Sequence, residues 1–103
     1  MGGDRQILHR VVKTFLEIVP EMLEKVRQAC EDGDALTIRD AAHALKGSAS
    51  NLGAHQVVKT AHELEQIGKF GNLQEMPEML QQLDLEMGRL VEALEEFQRE
   101  ESL

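Results

Sequence analysis

MPEMLQQLDLEMGRLVEALEEF, residues 76–97, decides the fold class. Met76, Leu80, Leu83, Met87, Leu90, Leu94 and Phe97 follow one another at alternating steps of four and three. That spacing lines apolar side chains along one narrow helical seam, the pattern of a helix in a bundle. Pro77 suits a first helical position, where its missing N–H costs nothing. From Pro77 to about Gln98 such a helix is roughly 33 Å long at 1.5 Å per residue. The acidic residues between the seam positions form its solvated face, and Met76, Met79 and Met87 read as adaptable core.

Similar patterns run upstream, separated by clear punctuation. A helix from Ala54 or His55 to Lys69 carries Val57, Val58, Ala61, Leu64 and Ile67; Gly68 and Gly71 mark its end and Asn72 opens a short turn. Before it, Asp34 caps a helix from Ala35 to about Leu52, and Gly53 suits the left-handed residue that ends it. At the N-terminus Asp4 caps a helix bearing Ile7, Leu8, Val11, Val12, Phe15 and Ile18. Pro20 then stands at a first helical position, followed by Met22 or Leu23, Val26, Ala29 and Cys30, with a stop at Glu31-Asp32-Gly33-Asp34. Pro20 either separates two helices or kinks one long one. Amphipathic helices joined by short polar loops predict an all-α, antiparallel four-helix bundle with an additional N-terminal helix, residues 1–103 forming a single domain. The tail Arg99–Leu103 is expected to fray.

Composition agrees and narrows the partners. Of 103 residues 42% are hydrophobic and 29% charged, too apolar for a disordered chain; three Phe, no Trp or Tyr, and sparse strand formers beside abundant Leu, Glu, Ala, Gln, Lys and Met argue strongly against an all-β sandwich or barrel. Eleven Lys and Arg against nineteen Asp and Glu leave a formal charge of -8, which repels nucleic acid and anionic membranes alike. No stretch is apolar enough for membrane insertion, and the first residues lack a signal peptide's apolar core. Cys30, the single cysteine, has no internal disulfide partner, in keeping with a reducing cytoplasm. A cytoplasmic monomer is the expectation.

Function is concentrated on the helix from Ala35. Ile38, Ala42, Leu45, Ala49 and Leu52 share one face of the helical wheel, and His43 lies roughly 140° from its centre, so His43 faces solvent. Arg39, Lys46, Gly47 and Ser50 share its surface. Gly47 costs about 1 kcal/mol relative to alanine in an exposed helix interior. Beside an exposed imidazole, it removes bulk and admits another molecule to the ring. Lys46 and Arg39 bring positive charge to where an anion on the ring would sit. Neutral imidazole offers one nitrogen as a nucleophile near neutral pH. An accessible ring, a flanking ammonium and bare backbone suit phosphoryl transfer, whose loose transition state needs chiefly positioning and charge stabilisation.

His43-Ala44-Leu45-Lys46-Gly47-Ser48-Ala49 with Leu52-Gly53-Ala54 resembles the histidine-containing phosphotransfer (HPt) domain of bacterial phosphorelays. The segment from Leu64-Glu65-Gln66-Ile67-Gly68 to Leu73 and the stretches Phe15–Pro20 and Ala29–Asp34 extend the resemblance over nearly the whole chain. It implies that a phospho-aspartyl receiver phosphorylates His43 on Nε2 and that the group passes to another receiver. Lys46 would be the phosphate's electrostatic partner and Gly47 the clearance for docking. Glu65 matches a polar position beside the ring, where glutamine is also common; it could hold the imidazole N–H, but it would also repel phosphate. Lys69 matches a position often held by arginine and would help bind the receiver. The implied partners are response-regulator receiver domains and a sensor histidine kinase.

With no glycine-rich phosphate loop, the chain should neither hydrolyse ATP nor autophosphorylate, so any activity is that of a phosphocarrier without kinase function. It should carry no metal or other cofactor, Mg²⁺ arriving with the receiver. One alternative is a non-catalytic docking module for receivers. Another is a metal-binding bundle using His55 and His62, but the paired Glu-x-x-His repeats are missing and His62-Glu63-Leu64-Glu65-Gln66 is not a zinc-protease motif. His55 and His62 therefore read as surface residues, at most part of a docking rim, and the sequence alone points to no particular partner for His9. Ser48 and Ser50 read as surface or packing residues.

Overall fold

A computed structural model describes residues 2–101; Ser102 and Leu103, the end of the tail expected to fray, lie outside the described residues. Among the described residues the fold is built of four α-helices, α1 (Gly2–Asp32), α2 (Ala35–Ser50), α3 (His55–Phe70) and α4 (Met76–Glu101), with a 3-10 turn at Leu73–Glu75. Each helix packs on its chain neighbours and α4 returns onto α1, closing a ring. Cross-contacts fix the directions. Arg39 lies opposite Gly68, His43 opposite Glu65 and Lys46 opposite His62, so α2 and α3 are antiparallel. Arg5 meets Glu100 and Arg27 meets Asp84, so α1 and α4 are too.

The turns follow from the expected residues. The Asp34 carboxylate accepts from the Thr37 amide at 3.2 Å and caps α2, an arrangement that holds its carboxyl below the usual range. Gly53 (φ +66) and Gly71 (φ +73) take the left-handed conformation that lets the chain leave α2 and α3. Ile38, Ala42, Leu45 and Ala49 are fully buried, and Leu52 is half-buried. They meet Val57, Leu64 and Ile67 of α3, Phe15, Val19 and Val26 of α1, and Leu83 and Met87 of α4. The other seam residues of α4 are half-buried.

The N-terminal half departs from expectation. Pro20 neither ends nor begins a helix but lies inside α1, so the additional N-terminal helix and the one after it are one element. An interior proline removes a hydrogen bond and costs about 3 kcal/mol or more. Tertiary packing offsets it here, because Val12, Phe15, Val19 and Val26 on both sides of Pro20 are buried. At about 1.5 Å per residue α1 spans about 46 Å, matching the 47 Å length of the molecule. The 16-residue helices α2 and α3 cover only part of that length. Beyond them the start of α1 and the end of α4 form a two-helix extension. There His9 is buried, stacked on Phe97 with centroids 4.0 Å apart and its Nδ1 2.6 Å from Gln98 Oε1. Ile7, Leu8 and Val11, placed on an apolar face by their periodicity, are exposed; Val11 borders an open cleft against Ser48, Asn51 and Leu52 at the end of α2. Arg99 to Glu101 continue α4 rather than leaving it.

Gly68 also departs from the expected pattern. It does not end α3; it is buried within the helix, against the backbone of α2. A Cβ there would lie 2.5 Å from the Arg39 amide nitrogen and 2.6 Å from the Ala35 carbonyl oxygen. Backbone atoms cannot rotate aside, so Gly68→Ala must push the helices apart. Overpacking costs about 1–3 kcal/mol, and with backbone as the neighbour the upper end is expected. The gain in helix propensity, about 1 kcal/mol, does not offset it. Urea unfolding should show a lower midpoint at unchanged m; an unchanged midpoint would disprove the close contact.

Candidate functional site

The tight α2–α3 contact at Gly68 sets the spacing at which one helix reaches the other's side chains. One and a half turns along, His43 on α2 projects into solvent with its side chain 67% exposed. Its Nδ1 lies 2.6 Å from Glu65 Oε2 on α3. The other carboxylate oxygen, Oε1, accepts from Lys46 Nζ at 2.5 Å. His62, three residues before Glu65, places Nδ1 3.4 Å from Lys46 Nζ and 3.5 Å from Glu65 Oε1. One carboxylate thus stands at the centre of two imidazoles and an ammonium, with its side chain only 14% exposed.

The electrostatics keep that carboxylate charged. The Lys46 hydrogen bond, followed by that of His43, holds the Glu65 carboxyl below the usual range against the opposing effect of burial. Its pairing therefore contributes stability above the ordinary carboxylate range, and that stability is lost as pH falls through the lowered value. An ionised carboxylate only accepts hydrogen bonds. Nδ1 of a neutral His43 must then carry the proton, which leaves the lone pair on Nε2. Next to the ring, the position where Gly47 would bear a Cβ has nothing within 4 Å. The helix surface is bare there.

Of the residues singled out in the sequence, the fold brings together His43, Lys46 and Glu65, with Gly47 beside them. Lys46 is less free than its wheel position suggests, because Glu65 holds it. The others are engaged elsewhere. Arg39 pairs with Asp40 at 3.1 Å, Ser50 Oγ donates to the Lys46 carbonyl at 2.8 Å, and the Lys69 ammonium lies over the Phe70 ring at 5.6 Å. His62 is the residue that sequence reasoning set aside. Its signal was the i, i+3 spacing to Glu65, which puts both on one helix face. Among the described residues no group of three or more His, Cys, Asp or Glu is arranged to hold a metal ion, and no helix is long and apolar enough to cross a membrane.

An all-helical bundle presenting an exposed histidine from one helix, backed by a carboxylate from the next, defines a class. The Hpt domain profile matches residues 10–99, and the chain belongs to the Hpt family. Among solved structures it is similar to histidine-containing phosphotransfer protein B (HptB) from Pseudomonas aeruginosa PAO1. That similarity has 32% identity and a TM-score of 0.82, over 88% of this chain and 80% of that one. No curated protein sequence matches significantly.

Proposed function

We propose that this chain is a cytoplasmic phosphorelay intermediate in which His43 accepts a phosphoryl group from a receiver's aspartyl phosphate and passes it to another receiver. The observation that carries the reading is the placement of the imidazole: Nδ1 lies 2.6 Å from the Glu65 carboxylate, and the ring is mostly exposed beside an open glycine. With Nδ1–H donated to that carboxylate, Nε2 is the nitrogen left to react. The Nε2 lone pair attacks phosphorus, the N–P bond forms, and the P–O bond to the receiver breaks to leave its carboxylate. The Nδ1 proton stays in place, so the phosphorylated ring is cationic. Glu65 faces that cation at hydrogen-bond distance, which resolves the apparent conflict between a carboxylate and a phosphate in one site: the carboxylate stabilises the ring and Lys46 the phosphoryl oxygens. Reversal on a second receiver follows the same path. Mg²⁺ belongs to the receiver, a sensor histidine kinase stands upstream, and the carrier works as a monomer of one domain.

Incubation with a panel of phosphorylated receivers should label the chain with an acid-labile, alkali-stable adduct. Absence of label from every receiver would overturn the carrier reading in favour of docking alone.

Glu65 tests the mechanism separately as a positioning residue. Partners that orient metal-ligating histidines typically contribute about 10–100-fold, and by analogy Glu65→Ala should slow single-turnover acceptance by about that much. Glu65→Gln retains an acceptor for Nδ1–H and should recover most of the rate. An alanine variant as fast as the wild type would show that the carboxylate does not orient the ring.

A further inference from the structure

The face opposite His43 holds a second feature that the phosphocarrier reading does not use. Between α1 and α4 runs an open groove of about 790 Å³. Half-buried Leu16 and Leu23 form one apolar wall and Val91 the other, with the buried Met87 beneath. Its lining spans residues 16–27 of α1 and 84–95 of α4, about 17 Å on each helix, or three helical turns.

Two residues in it are costly to the helices that contain them. Pro20, inside α1, is exposed and lines the groove. Having no N–H, it offers none to the carbonyl of Leu16, which also lines the groove. Across from it Gly88 lies exposed inside α4, and a Cβ there would have nothing within 4 Å. No packing within this chain requires that glycine, although any other ordinary residue would make a better helix. What its absent side chain does is leave the groove floor bare, as Gly47 does beside His43. The rim is acidic. Glu24, Glu92 and Glu95 line it, and among the described residues no cation pairs with Glu92 or Glu95. At one end Arg27 pairs with Asp84 at 2.9 Å and with Glu24 at 3.8 Å, so the unneutralised part of the rim is Glu92 and Glu95.

We infer that this groove is a docking site for a basic amphipathic helix of a partner protein, about three turns long. Its apolar stripe seats between α1 and α4, approaches closely over Gly88 and Pro20, and its flanking Arg or Lys side chains pair with Glu92 and Glu95. A helix fits because two antiparallel helices already present a groove of helical dimensions. The basic flanks follow from charge complementarity. His43 stands on the outer face of α2 and α3, so a partner seated between α1 and α4 leaves it accessible. The inference does not depend on phosphotransfer.

The probe is a 14-residue synthetic peptide with leucines at i, i+3, i+4 and i+7 spacing and arginines on the flanks. It is titrated into the isotope-labelled full chain and followed by amide chemical shifts. Controls are the same peptide with glutamates for arginines and a scrambled order of equal charge. Saturable shifts should concentrate at 16–27 and 84–95, leave His43 unmoved and be absent with both controls. Gly88→Leu, which strengthens the helix while filling the floor, should weaken binding at least tenfold, as should Glu92→Lys with Glu95→Lys. Equal binding of the scrambled peptide, shifts spread over other acidic surface, affinity unchanged by Gly88→Leu, or no saturable binding would each overturn it.

Discussion

His43→Gln is expected to abolish phosphoryl acceptance from every receiver while leaving the bundle as stable as before. The amide nitrogen of glutamine has its lone pair delocalised into the carbonyl and cannot attack phosphorus, so no slow residual pathway remains through residue 43. The fold should not notice the change. The side chain at 43 is mostly in solvent, and the buried face of α2 is supplied by Ile38, Ala42, Leu45 and Ala49. A glutamine amide can still donate to Glu65, so the charge at the centre of the cluster keeps a partner. Exposed substitutions of this kind shift stability by about 0.5 kcal/mol or less. Phosphorylated receivers should therefore leave the variant unlabelled while its thermal transition stays put. The structure also defines the informative failure. If label persists in His43→Gln and disappears when His62 is replaced as well, the acceptor is His62, the other imidazole on the same carboxylate.

How far these features were legible depends on whether they are local. The cap at Asp34, the left-handed turns at Gly53 and Gly71 and the apolar stripe of α2 involve residues within a few positions of one another, where periodicity and turn chemistry act directly. The exposure of His43 follows from that stripe, so the placement of the imidazole at the centre of the candidate site was legible too. Pro20 was not, because its fate turns on packing: a lone proline signals a boundary, and only burial of Val12, Phe15, Val19 and Val26 on both sides carries the helix through it. The exposure of Ile7, Leu8 and Val11 depends likewise on where α2 and α3 stop. Gly68 was misread for a related reason, since a glycine near a helix end and a glycine at a helix crossing look alike until the facing backbone is present. The Lys46–Glu65–His62 cluster spans two helices. Its i, i+3 half was visible in the sequence, but the contact across α2 and α3 needed their register.

Gly47→Leu should separate access to the ring from the chemistry of the ring. The substitution costs the fold nothing: the space beyond the Cβ position is open, and leucine improves on glycine in a helix by nearly 1 kcal/mol, so the thermal midpoint should hold or rise. A leucine there projects several ångströms from α2, on the side where a receiver must bring its aspartyl phosphate against Nε2. Reacting atoms need to come within about 3–3.5 Å, and a misplacement of about 1 Å can cost 10²-fold. Transfer from a receiver should fall by about 10²-fold or more, and Gly47→Ala, with one methyl group, should lose much less. Reaction of the ring with a small acylating reagent such as diethyl pyrocarbonate should stay near the wild-type rate, because it needs no protein surface to dock. If both reactions fall together, the leucine covers His43 itself and the variant says nothing specific about the receiver. If receiver transfer is undiminished, the partner does not approach over Gly47, and the propensity sacrificed at that position has no steric purpose.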